Sequence, residues 1–96
     1  SRRRKCSPPT GNDRTRLMVS ITDKVGALPH ALAAFRRNRI NLTKIESRPS
    51  KRRAWEYFFF IDCDGHQEDR KVAKAIEHLA QECSFVKVLG SYPNSD

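Results

Sequence analysis

Ninety-six residues with a net charge of +8 and a pI of about 9.9 bound one small domain, able to bury a single modest core and short of the chain needed for a deep catalytic cleft. The basic balance favours an acidic partner such as nucleic acid or an anionic surface, but Arg2, Arg3, Arg4 and Lys5 gather at the N-terminus and Lys51, Arg52 and Arg53 in an expected hairpin loop, which reads as solvated charge. Three cysteines (Cys6, Cys63, Cys83), odd in number and without framework spacing, point to a reducing, intracellular compartment, and no apolar run approaches the roughly 20 residues of a membrane span.

Residues 1–13 join basic residues to Ser7, Pro8, Pro9, Thr10 and Gly11 and read as a flexible arm, ahead of a domain over 14–93 and a tail over 94–96. Over 16–22, Leu17, Val19 and Ile21 alternate with polar or mixed positions, which predicts a first strand. Asp23, Lys24, Val25 and Gly26 form a loop, the glycine permitting a tight turn. A helix begins near Leu28, with Pro29 in the first turn, where a missing N–H costs nothing. Leu28, Ala31, Leu32 and Phe35 make one apolar face, and the helix stops around Asn38, a residue that tolerates a left-handed cap.

Residues 40–50 are β-branched and apolar positions ended by Pro49, which predicts an edge strand, with Lys44 and Arg48 discouraging stray pairing. The apolar phase slips between Leu42 and Ile45, so a bulge is expected there. Residues 53–61, which include Trp55, Tyr57, Phe58, Phe59 and Phe60, are apolar on both faces and belong in the sheet centre. Residues 62–66 read as a turn, Asp69 as an N-cap, and Val72, Ala75, Ile76, Leu79, Ala80 and Cys83 as one helix face. A last strand spans 85–90, after which Ser91, Tyr92 and Pro93 lead out. The order βαββαβ is that of the ferredoxin-like plait, an α+β fold with a four-stranded antiparallel sheet and both helices on one face. That plait hosts many functions, so function has to come from particular residues.

Metal chemistry finds little support. Cys63 and His66 have ligand spacing but no second pair, and no acidic residue completes a calcium loop after Asp62 and Asp64. No serine or cysteine sits in a glycine-framed elbow, so no active site, metal or cofactor is expected. An RNA-recognition motif shares the element order, and residues 53–60 fit its third strand loosely through Arg53, Trp55, Tyr57 and Phe60. Ala54, Glu56 and Phe58 do not fit, Glu56 would set an anion among phosphates, and specific nucleic-acid binding is not expected. A third reading is a small-ligand site. The loop entering the first helix presents unpaired backbone N–H groups suited to a carboxylate, and Asn41 offers donors and an acceptor for an ammonium group, although spacing alone favours an ordinary strand-to-helix turn at Gly26, Ala27 and Leu28.

Gly26, Ala27 and Leu28, followed by Asn41, Leu42, Thr43, Glu46, Ser47, Arg48 and Pro49, resemble the ACT regulatory domain that binds L-phenylalanine. That domain occurs in prephenate dehydratases, some fused to chorismate mutase, and in aromatic amino acid hydroxylases. Asp62 to His66, Leu89 to Pro93 and the run 9–15 are similar to the dehydratase form. Arg39 departs from it, standing where glycine is usual, which suggests a cap moved to Asn38; Pro29 is a second departure. The resemblance implies a homodimer holding L-phenylalanine at its interface, feedback inhibition of an upstream dehydratase catalytic domain, and cytoplasmic location (plastid in a plant or alga). It implies a ligand site of Val25, Gly26, Ala27, Leu28, Pro29, Ile40, Asn41, Leu42, Thr43, Glu46, Ser47 and Arg48, with Leu28, Ile40 and Leu42 against the ring.

Overall fold

The computed structural model describes residues 8–22, 27–53, 56–83 and 85–94. The expected loop at 23–26, Ala54 and Trp55, and most of the basic arm lie outside these. Strands β1 (Asp13–Thr22), β2 (Leu42–Pro49), β3 (Glu56–Asp64) and β4 (Phe85–Pro93) form one antiparallel sheet in the order β2-β3-β1-β4. Helices α1 (Ala27–Arg37) and α2 (Arg70–Glu82) complete the expected βαββαβ plait. Leu17, Val19 and Ile21 of β1 and Ile61 and Cys63 of β3 meet Ala31 and Phe35 of α1 and Val72, Ala75 and Leu79 of α2 in one buried core. Alternation along the strands therefore puts both helices on one face and leaves Arg14, Arg16, Met18, Ser20, Phe58 and Phe60 on the other.

The aromatic run does lie in the sheet interior, and β2 does lie at its edge. The register of β2 against β3 shifts between Leu42 and Lys44, where the phase slip predicted a bulge, and Thr43 is the residue passed over.

Three expectations need correction. Asp62, Cys63 and Asp64 are strand rather than turn, because Cys63 is fully buried and pairs with Thr15 and Leu42 in the ladder. β4 continues through Ser91, Tyr92 and Pro93 rather than leaving the fold, since β1 begins at Asp13 and supplies Asp13, Arg14 and Thr15 as partners. The left-handed residue after α1 is Arg39, with φ 59°, and not Asn38. Ile40 N–H reaches the Phe35 carbonyl at 2.9 Å and Arg39 N–H the Arg36 carbonyl at 3.0 Å, a Schellman closure that Arg39 accepts at the cost of strain. Asp69 does occupy the N-cap of α2, where its carbonyl accepts the Ala73 N–H at 2.9 Å and its side chain makes no capping bond. Its carboxylate instead accepts the His66 N–H at 3.0 Å and closes the turn before the helix.

Candidate functional site

β2 and the residue before it carry most of the expected ligand contacts. Asn41 is exposed, yet its carbonyl accepts the Asp64 N–H at 2.9 Å and its Nδ2 donates to Asp64 Oδ2 at 3.1 Å, so its position is held from β3. Leu42 is half-buried against the core, and Thr43 Oγ1 donates to the Asp62 carbonyl at 3.3 Å from the bulge. Glu46 Oε2 accepts from Arg48 at 3.3 Å, and Arg16 approaches Glu46 Oε1 at 4.0 Å. The guanidinium groups of Arg16 and Arg48 lie 5.7 and 5.5 Å from the centre of the Phe60 ring. Ser47 and Pro49 are exposed at the edge. The polar density of this strand is thus spent partly on an ordered patch of the open sheet face.

The other half of the expected site opens α1. Ala27 and Leu28 are its first residues, so their N–H groups have no partner within the helix, and Pro29 is exposed and contributes none. Leu28 packs beside the core while remaining half-buried. Val25 and Gly26 fall outside the described residues. Ile40 is 6% exposed and belongs to the core, which leaves it little surface for the expected contact with a ligand ring.

Within one chain these halves do not meet. Leu28 lies in the first turn of α1, whose last residue, Arg37, leads through the turn at Arg39 to Asn41. The nine helical steps from Leu28 to Arg37 are about 14 Å at 1.5 Å per residue.

Two polar clusters were not anticipated. Thr15, Ser91 and His66 are fully buried. Thr15 Oγ1 bonds the Gly65 carbonyl at 2.7 Å and Ser91 Oγ at 2.8 Å, and Ser91 Oγ accepts the Gln67 N–H at 2.9 Å. The cluster pins β1 and β4 to the turn before α2, which gives a structural role to two stretches carrying the dehydratase resemblance. At the opposite end, Ser20 Oγ donates to the buried Glu56 carboxylate at 2.9 Å, and Arg52 reaches both its oxygens at 3.3 Å. Hydrogen bonds from Ser50 and Ser20 hold the Glu56 carboxyl below its ordinary value against the opposing effect of burial, with Arg52 assisting. Burial would raise Asp13, but bonds from the Thr10 hydroxyl and from the Thr10 and Gly11 N–H groups outweigh it and lower its pKa. Burial and the neighbouring Asp64 and Asp62 push the Cys63 thiol up to about 11, and burial and Glu82 do the same for Cys83. Neither is a thiolate at neutral pH. Among the described residues no group of three His, Cys, Asp or Glu side chains converges on a metal position, and no helix is long and apolar enough to cross a membrane.

Plait and bulged edge strand define a small α+β domain of the βαββαβ kind. Residues 15–81 match the ACT domain family, and the chain belongs to that family. It is 52% identical over 87 residues to the bifunctional chorismate mutase/prephenate dehydratase of Aquifex aeolicus (strain VF5), covering 91% of this chain and 24% of that protein. The crystal structure of prephenate dehydratase from Arthrobacter aurescens in complex with L-Phe superposes with a TM-score of 0.88 at 39% identity, covering 100% of this chain and 32% of that one. A structure of GqqA, described as a novel type of quorum quenching acylase, superposes with a TM-score of 0.89 at 29% identity, covering 98% of this chain and 48% of that one. The chain spans about a quarter of the length of the curated relatives it matches. The resemblance read from Asn41, Glu46, Ser47, Arg48 and Pro49 is met by relatives that are prephenate dehydratases, alone or fused to chorismate mutase.

Proposed function

We propose that this chain is the regulatory domain of a cytoplasmic prephenate dehydratase and binds L-phenylalanine between two copies of itself. The observation that carries the reading is the likeness across the whole chain to an enzyme whose structure holds L-Phe. The separation of the two candidate half-sites supports a shared site, because one chain cannot bring Leu28 and Asn41 to one small ligand. Backbone N–H groups of Ala27 and Leu28 take the carboxylate, with Gly26 letting it approach the main chain. Asn41 and nearby carbonyls of the other copy take the ammonium group, Thr43 holds the bulge open beside it, and Leu28 and Leu42 flank the ring. Glu46, Ser47 and Arg48 set the edge strand against its partner. Occupation favours the paired arrangement, and through it a state of the attached catalytic domain in which dehydration is inhibited, a shift set by the difference in affinity between the two states.

Calorimetric titration tests the reading, with a short single-stranded RNA as the competing arm. Saturable heat with L-phenylalanine and only weak, salt-sensitive heat with RNA is the expected result. Tight RNA binding near physiological salt with no response to phenylalanine would replace the reading with the RNA-recognition one, against which Glu46, Glu56 and Asp62 on the open face already weigh.

A further inference from the structure

On the open face of the sheet, Arg14 and Arg16 stand next but one along β1, opposite Asp64 and Asp62 of β3 and Tyr92 and Gly90 of β4. With Asp62, Tyr92, Pro93 and Asn94 they line a cavity of about 220 Å3. Arg16 is committed: it reaches Asp62 Oδ1 and Oδ2 at 3.3 and 3.4 Å and lies against Phe60. Arg14 is not. Its Nε is buried and has no acceptor among the described residues. Asp64, its neighbour across the ladder, turns instead to Asn41 Nδ2.

A buried guanidinium N–H without an acceptor is rare in a native fold and calls for an explanation. The planar fork of arginine matches a carboxylate or phosphate, and the cavity sets Arg14 beside Arg16, which Asp62 and Glu46 already partner. Its volume exceeds the roughly 150 Å3 in which a benzene molecule is held, so an oxyanion and a small attached body both fit. The ring of Tyr92, 48% exposed, and Pro93 supply an apolar wall for that body.

We propose that this cavity is a second ligand site of the domain, binding the carboxylate or phosphate oxyanion of a small molecule on Arg14, with Arg16 as supporting charge. The site lies on the open sheet face, uses none of the residues assigned to phenylalanine, and stands or falls independently of that assignment. The test follows the arginine Nε–H signals of the chain by NMR while sodium benzoate, inorganic phosphate, benzamide or chloride is added at constant ionic strength. The Arg14 Nε–H signal moves downfield and saturates with benzoate, phosphate or both, and stays in place with benzamide and chloride. Benzoate alone assigns carboxylates, phosphate alone assigns phosphate esters, and both assign oxyanions at large. Arg14→Gln weakens the saturating anion by at least about tenfold, as expected for loss of a charge-assisted bond, and leaves the response to L-phenylalanine intact. Absence of saturable movement with either anion overturns the proposal, as does equal affinity in Arg14→Gln. Should that variant fail to fold, the wild-type signal alone decides.

Discussion

Gly65 has φ 111°, and a Cβ built on it would meet Val72 Cγ2 at 2.6 Å, whereas Gly11, with φ 89°, has nothing within 4 Å. Gly65→Ala therefore combines backbone strain with overpacking against the core and should cost roughly 2–4 kcal/mol, against about 1 kcal/mol for Gly11→Ala from strain alone. Urea unfolding of the two variants checks the ordering, and equal losses would mean that the Val72 contact relaxes freely. Arg39, exposed at φ 59°, is the reverse case. Arg39→Gly relieves the left-handed penalty while loosening the unfolded chain, for a net gain of up to about 1 kcal/mol; a loss of stability would show that the arginine side chain matters to the cap. Ligand choice also belongs at this scale. With Leu28 and Leu42 beside the ring and no polar partner proposed there, tyrosine buries an unpaired hydroxyl at a cost of roughly 1–3 kcal/mol, so phenylalanine should raise the melting temperature more. Equal shifts from the two amino acids would sink the apolar wall.

Elements were more legible in the sequence than the contacts that fasten them. The phase slip between Leu42 and Ile45 located a bulge, because a strand with one face on a core must keep its period. The extensions of β1 to Asp13 and β4 to Pro93 escaped notice because their pairing rests on Thr15, Ser91 and backbone groups rather than apolar alternation. Asp13 and Glu56 make the fastening sensitive to acid. Both have folded pKa values below their ordinary 3.8 and 4.5, so the native chain binds fewer protons than the unfolded one and stability rises with pH. Their contribution is fully present above about 4.5, declines below it, and is gone once the pH has fallen through the lowered native values. Urea midpoints at neutral pH and at steps below 4.5 should fall accordingly, and Glu56→Gln should be less stable at neutral pH with a shallower acid decline. An unchanged slope would show that Glu56 is not held ionised by Ser20, Ser50 and Arg52.

At the scale of the whole molecule, the sequence supplied both halves of the proposed phenylalanine site but not their separation, since neither Leu28 nor Asn41 carries any sign of where the sheet puts the other. The structure sets Leu28 and Asn41 about a helix length apart, and this makes the shared-site reading testable by mixing two disabled chains. Asn41→Ala removes the ammonium partner from one half, and Gly26→Val blocks the approach to the helix N-terminus in the other. Each variant alone has both sites of its twofold dimer damaged and should bind no phenylalanine measurably. In a mixed dimer, one site collects both lesions and the other collects none. Random re-pairing after mild denaturation makes half the dimers mixed, so about a quarter of wild-type binding capacity should return at wild-type affinity, with half-sites contributed isologously. Neither variant regains anything when refolded by itself, and a cooperative melting transition of each in the absence of ligand shows that it folds. Were the site contained within one chain, no partner could repair it and the mixture would bind no better than its components, whatever the oligomeric state.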